Sequence, residues 1–164
     1  MDLLDRIKSR APEYDEIYYQ FILDFTVEQG ARMGTAKDED KWKQGKYFST
    51  RYEMYMYATL LGLKKNYKIP IEAGTKTKKF IEMNSWKPVP IANYIIMGIL
   101  GMGDYNLYQL ENMEEQEVEN TITKIKKDIE GYANGGFDII RSKDKEDQTF
   151  FVENDNSFID LLDE

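Results

Sequence analysis

The chain has no cysteine and no histidine among its 164 residues, and this absence constrains how it can fold. Neither a disulfide nor a zinc site can hold the structure together, so a hydrophobic core must do so. A domain of this length buries roughly two-thirds of the surface of its unfolded chain, which is enough for such a core. Apolar residues make up 41% of the chain and charged residues 32%, a composition typical of globular proteins. We therefore expect one domain over residues 1–164.

Hydrophobic periodicity predicts that this domain is mainly α-helical. Apolar side chains recur every three or four residues in the first part of the chain, which predicts a long helix over Pro12–Met33. Thr50 and Glu53 have the spacing of a capping box, so a second helix is expected to begin there. The stretch that follows is apolar on nearly all sides, which indicates a helix in the centre of the core. A third helix is expected over Ile91–Met102.

The clearest helical pattern lies in the second half of the chain, where apolar residues form a seam with steps of four, three, four and three residues. Asn134-Gly135-Gly136 is expected to end this helix, because both residue types accept the left-handed conformation of a C-cap. The seam consists of Val118, Ile122, Ile125, Ile129 and Tyr132.

Shorter elements complete the predicted fold. Residues 137–140 are expected to form a short buried strand or turn, and residues 142–149 a charged hairpin or loop. Tyr67–Ile71 contains a proline and is at most a short edge strand. Ser157 is expected to cap a final helical turn. The predicted fold class is mainly α, a single compact multi-helix domain with room for a short hairpin or edge strands, divided into N-terminal helices over 1–35 and a core over 46–140.

The sequence also predicts the cellular compartment. A membrane-spanning helix needs roughly twenty apolar residues, whereas the longest strongly apolar stretch, Ile91–Met102, has twelve. The N-terminal Met-Asp-Leu-Leu-Asp-Arg lacks the basic-then-apolar order of a signal peptide. We expect a soluble, cytoplasmic protein without membrane contact.

Charge is distributed unevenly along the chain. Residues 37–80 hold eleven Lys/Arg against five Asp/Glu, a net charge of +6, whereas residues 81–164 carry −11 and the whole chain −8. Basic residues interleaved with aromatic ones can hold nucleic acid through phosphate contacts and stacking. Alternatively, the aromatic residues anchor the core and the lysines form a solvated surface. The candidates for nucleic-acid contact are Lys43, Lys46, Arg51, Lys64, Lys65 and Lys68.

Residue types needed for most catalysis and cofactor binding are absent or wrongly spaced. Without His or Cys, only an oxygen-ligand metal site is open, and the acidic groups at 114–117 and 153–160 lack an EF-hand loop. The glycines of Gly98–Gly103 are not in the order of a dinucleotide-binding loop. We expect no metal, no cofactor and no enzymatic activity. An enzyme that uses carboxylates alone remains an alternative, which paired acids in a cleft would support.

Two segments resemble the signatures of a small bacterial family. In the first, Tyr47-Phe48 precedes the capped helix, which ends in Leu60-Leu61-Gly62-Leu63-Lys64 and is followed by Ile69-Pro70-Ile71. The second is Ile129–Phe137, which contains Tyr-Ala-Asn-Gly-Gly. Over residues 46–140 the chain resembles the small Dnd system-associated proteins, also described as DNA phosphorothioation-associated. The resemblance implies an accessory role beside genes that mark DNA with backbone sulfur or restrict unmarked DNA, and it carries over no catalytic residue.

Three hypotheses about function remain open. The favoured one is a non-catalytic accessory protein of a DNA phosphorothioation-linked defence system, acting by contact with a protein partner in a defence complex or with DNA. The first alternative is a nucleic-acid-binding module that uses the basic residues directly. The second is an acidic partner-binding protein whose carboxylates take the place of DNA phosphates, suggested by the charge of −11 on residues 81–164.

Overall fold

Two helices that cross so closely that their backbones touch form the centre of the fold. The computed structural model describes residues 2–27 and 46–164, and within them it is mainly α-helical, as the sequence predicts. Two three-residue strands, β1 and β2, pair antiparallel with Tyr14 opposite Lys78. The strands are β1 (Glu13–Asp15) and β2 (Thr77–Lys79), and the helices are α1 (Leu3–Lys8), α2 (Tyr19–Phe25), α3 (Arg51–Lys64), α4 (Val89–Met102), α5 (Glu115–Glu146), α6 (Phe150–Glu153) and α7 (Ser157–Asp163).

Helix α3 begins at the predicted capping box and lies in the core. The Thr50 hydroxyl accepts the N–H of Glu53 at 3.2 Å, and the Glu53 carboxylate accepts the N–H of Ser49 at 3.0 Å. The helix ends in a Schellman motif, in which Asn66 takes a left-handed φ of 48° and Tyr67 N–H donates to the Gly62 carbonyl at 2.8 Å. The prediction of a capped, central helix is confirmed.

Helix α5 does not end where its sequence predicts. It continues through Asn134-Gly135-Gly136 to Glu146, so the strand or turn expected at 137–140 is wrong, and the predicted loop at 142–149 is helical as far as residue 146. The glycines serve close packing and not a C-cap. A Cβ atom on Gly136 would lie 1.8 Å from the carbonyl oxygen of Ala58, and one on Gly62 would lie 2.1 Å from that of Tyr132. The absence of side chains at these positions lets the backbones of α3 and α5 touch.

The sequence predicts a helix from Pro12, but residues 13–15 form strand β1 instead. Polar side chains of α5 hold this strand in place. The Glu130 carboxylate accepts the N–H of Glu13 at 3.0 Å, and the Asn134 amide oxygen accepts that of Asp15 at 3.2 Å. Since these bonds satisfy the backbone in an extended conformation, a helix that starts at Pro12 has no advantage there.

The predicted first helix is therefore much shorter than expected. After a 3₁₀ turn over Glu16–Tyr18, α2 spans only Tyr19–Phe25, and Thr26 is extended. Val27 N–H then donates to the Phe48 carbonyl at 3.1 Å. The rest of the predicted helix, residues 28–33, lies outside the described part of the chain.

The remaining elements agree with the predictions only in part. The third helix is confirmed and begins two residues early, at Val89. Tyr67–Ile71 is not a strand, because Ile69 N–H donates to the Gly131 carbonyl of α5 at 2.9 Å. The last helix begins at Ser157, but its N-cap residue is Asn156 and no side chain caps it. None of the helices in residues 2–27 and 46–164 combines the length and the apolar character that a membrane crossing requires.

Replacing Gly136 by alanine tests the backbone contact between α3 and α5. The new Cβ would overlap the Ala58 carbonyl, which as backbone of a buried helix cannot move aside. We expect Gly136→Ala to lower the free energy of unfolding by about 3 kcal/mol or more, measured by urea denaturation. The matched control is Gly98→Ala in α4, where the nearest atom to the new Cβ is the flexible Leu63 Cδ1 at 3.4 Å. Equal stability of the two variants would contradict the packing argument.

Candidate binding surface

The predicted basic residues lie at opposite ends of helix α3. Arg51 is its first residue and Lys64 its last. Fourteen helical residues span about 20 Å, so Lys46 and Arg51 are well separated from the other predicted residues. Lys64, Lys65 and Lys68 are close in sequence at the C-terminal end, and Lys43 lies outside the described residues. The structure therefore does not bring the predicted set together as one patch.

At the N-terminal end of α3, the side chains of Lys46 and Arg51 are partly enclosed by the rest of the protein. The Lys46 ammonium donates to the carbonyl oxygen of Leu23 at 2.8 Å, which connects the chain just before α3 to α2. The Arg51 side chain is partly buried, and its Nε has no hydrogen-bond partner within the described part of the chain. Neither arrangement leaves a fully exposed cation.

At the C-terminal end of α3, Lys64 is exposed and Lys65 is half-buried beside a cleft. Both lie at the negative end of the helix dipole, a position that favours positive charge. The Lys64 side chain is 57% exposed, and its Nζ lies 3.9 Å from Asp163, at the outer limit of an ion pair. Lys65 lines an open cleft of about 510 Å³. These two lysines are the predicted residues best placed to meet an anionic partner.

Lys68 contributes to the fold instead. Its Nζ lies 3.1 Å from Asp128 of α5 and 5.5 Å from the centre of the Tyr132 ring. The second oxygen of Asp128 accepts the Tyr105 hydroxyl at 2.6 Å. Lys68 thus belongs to a group that attaches the segment after α3 to the surface of α5.

The cleft beside Lys65 has mixed charge. It lies between the end of α3, the C-terminal half of α5 and α7. The Lys143 ammonium donates to Glu164 at 3.0 Å, which raises the pKa of Lys143, and the Tyr67 hydroxyl donates to Asp138 at 3.0 Å. Its three carboxylates outnumber its two lysines, so the cleft does not form a basic phosphate site. Its lining includes Lys65, Tyr67, Asp138, Lys143, Glu146 and Glu164.

The sequence does not predict that Lys143 lies in the same cleft as Lys65. The two residues are far apart along the chain, and the helix that carries Lys143 was expected to end at Gly136. Only the continuation of α5 to Glu146 places Lys143 in the cleft. No spacing in the sequence indicates this contact.

Asp144 and Asp24 form another pair of neighbouring acidic side chains. Partial burial raises the pKa of Asp144 on α5, and the nearby charge of Asp24 on α2 raises it further. The two are far apart in the sequence, so spacing gives no signal for this pair. Within residues 2–27 and 46–164, no group of three acidic side chains is arranged to hold a metal ion.

Buried tyrosines remain protonated at neutral pH. Burial is the main cause that raises the pKa of Tyr14 and of Tyr18 to about 12, and it raises that of Tyr55 well above its ordinary value. For Tyr105, burial again comes first, and the hydrogen bond to Asp128 adds to the increase in pKa. A phenol with a raised pKa does not supply a phenolate nucleophile.

Comparison with known proteins identifies a matching family. The family model described as DNA sulphur modification system-associated protein 4 matches residues 33–155. No match was found among curated proteins, and none among solved structures.

Alkaline titration tests the state of the buried tyrosines. Their pKa is about 10 in the unfolded chain and higher in the native protein, so their contribution to stability is complete below pH 10 and is lost as the pH rises through about 12. At pH 11 we expect phenolate absorbance well below that of all twelve tyrosines, with native circular dichroism. Urea at the same pH should unfold the protein and so allow the remaining tyrosines to ionise. Full ionisation of the native protein at pH 11 would contradict the burial argument.

Proposed function

The chain belongs to the family described as DNA sulphur modification system-associated protein 4, and we propose that it serves such a system as a non-catalytic accessory protein that binds a protein partner. The family match covers residues 33–155, about three-quarters of the chain, and associates it with DNA sulphur modification. The observation that carries the choice of a protein partner is the division of the basic residues between the two ends of α3.

Buried polar groups support a role without catalysis. Glu130 and Asn134 are almost fully buried, and both accept backbone N–H groups of β1. The buried hydroxyls of Thr26, just after α2, and of Thr59 in α3 donate to carbonyls four residues earlier, at 2.7 and 2.8 Å. These groups maintain the fold, so they are not available to activate a substrate.

Charge placement favours a protein partner over a DNA duplex. Lys46 and Lys68 are held by Leu23 and Asp128, so a duplex would meet mainly Lys64 and Lys65. Two phosphate contacts give only weak attraction at physiological salt, whereas proteins with extended basic faces make six or more. The protein partner is expected within the same defence system.

Direct DNA contact is the second candidate function, because Lys64 is 57% exposed and Lys65 faces an open cleft. The two sit at the end of α3 without a structural role that would keep them from a phosphate.

The acidic-partner hypothesis has less support. Glu119 is paired with Arg6 and Arg10, so part of the negative charge of residues 81–164 is neutralised within the protein.

A salt series with DNA separates these candidates. We expect weak binding to a short duplex, with and without phosphorothioate links, measured by fluorescence anisotropy. A plot of log affinity against log salt should have a slope of about −2, for two phosphate contacts, whereas six contacts would give about −5. The double variant K64E/K65E should abolish the binding. Its control is K79E/K127E, which changes the net charge equally at two exposed lysines elsewhere.

Binding to the other proteins of the same system is the direct test of the main proposal. Each is purified and titrated against the full chain by calorimetry. Saturable binding to one of them, unchanged in K64E/K65E, would support a protein partner. A slope near −5 with strong duplex binding would instead favour DNA. Hydrolytic activity that a point substitution such as Asp144→Asn removes would overturn the non-catalytic role.

A further inference from the structure

Helix α4 presents an uncharged face to solvent. None of its fourteen residues is charged. Pro90, Tyr94, Met97 and Gly101 are all exposed, and Tyr94 and Met97 are 64% and 65% exposed. Large apolar side chains that remain in water along one helix are typical of an interaction surface. The opposite side of the helix enters the core through Ala92, Ile95, Ile96 and Ile99.

The exposed residues form a seam along the helix. They follow one another in steps of four, three and four residues, which places them on one face as in a two-helix coiled coil. A Cβ on Gly101 would have no atom within 4 Å, so the space beside the seam is open. The seam from Pro90 to Gly101 is about 17 Å long, which suits a helix of the same length as its partner.

The order of these residues is symmetrical about the middle of the helix. Tyr94 and Met97 are equally distant from a point between residues 95 and 96, and so are Pro90 and Gly101. When two identical helices pair antiparallel about that point, equidistant residues face each other. Tyr94 of one copy would then meet Met97 of the other, and this contact would occur twice.

Charges at the two ends of the helix fit the same pairing. Lys87 lies just before α4 and Asp104 just after it, both are exposed, and neither makes an ion pair within the described residues. They are also equidistant from the midpoint. Antiparallel pairing brings Lys87 of each copy beside Asp104 of the other, whereas parallel pairing would place like charges together.

We infer that the α4 seam is a self-association surface on which a second copy of this chain docks antiparallel, giving a two-fold symmetric dimer. Such an interface is isologous, so one patch must complement itself, as the seam and its end charges do. Since the contact is mainly one helix, it is small and exchanges with the monomer as concentration changes. This goes beyond the proposed function, which concerns a different protein of the defence system.

Sedimentation velocity of the full chain, from about 1 to about 200 µM, tests the dimer over the range in which small interfaces dissociate. We expect the average sedimentation coefficient to rise from the monomer value toward the dimer value. Met97→Lys should weaken association at least about tenfold, because each dimer contains the contact twice. The matched control is Ile159→Lys on α7, which is 61% exposed and outside the seam. Circular dichroism should show that both variants keep the native fold.

Charge exchange identifies the partner as a second copy in antiparallel orientation. K87E and D104K should each weaken the dimer, because each places two pairs of like charges together. The double variant K87E/D104K should restore association, and so should a mixture of the two single variants. A monomer at all concentrations, a dimer indifferent to Met97→Lys, or a double variant as weak as the single ones would overturn the inference.

Discussion

The close crossing of α3 and α5 is the contact on which the rest of the structure depends. At Gly62 and Gly136 the two backbones approach so closely that even a methyl group would overlap a carbonyl oxygen. Helices that pack through larger side chains stay 8–10 Å apart. A closer crossing brings the flanking polar residues of α5 within hydrogen-bonding distance of other segments, so β1 and the chain after α3 can attach to the same helix.

Glu130 and Asn134 show how a helix can substitute for the neighbouring strand of a sheet. Residues four apart on a helix are about 6 Å apart along its axis, and alternate residues of a strand are separated by about 6.6 Å. The two side chains therefore match the N–H groups of Glu13 and Asp15 in spacing. The Asn134 amide also donates to the Ile69 carbonyl at 3.3 Å, so one buried residue joins three segments. A two-stranded sheet this short has little stability alone, and α5 supplies the missing support.

Local signals in the sequence locate helices α3 and α4 but not the C-terminal end of α5. The capping box at Thr50 and the apolar run of α4 depend on neighbouring residues, and both helices are found where expected. Asn134-Gly135-Gly136 has the composition of a C-cap, but its partners are more than sixty residues away in sequence, so spacing could not indicate them. The same limit applies to the basic residues. They cluster in sequence, and the length of α3 then separates them in space.

The residues of the second segment that resembles the family serve the fold and not a binding site. Those of Ile129–Phe137 are almost entirely buried at the crossing, where they contact α3, β1 and the segment after α3. A substitution there would remove function by unfolding the protein, whatever the function is. Activity must therefore be carried by exposed residues outside this signature, since only they can meet a partner without the fold being lost. The two surfaces proposed for binding meet that condition: the cationic end of α3 at Lys64 and Lys65, and the uncharged face of α4. Because a charged surface and an apolar one select different partners, the two proposed contacts do not compete for the same residues.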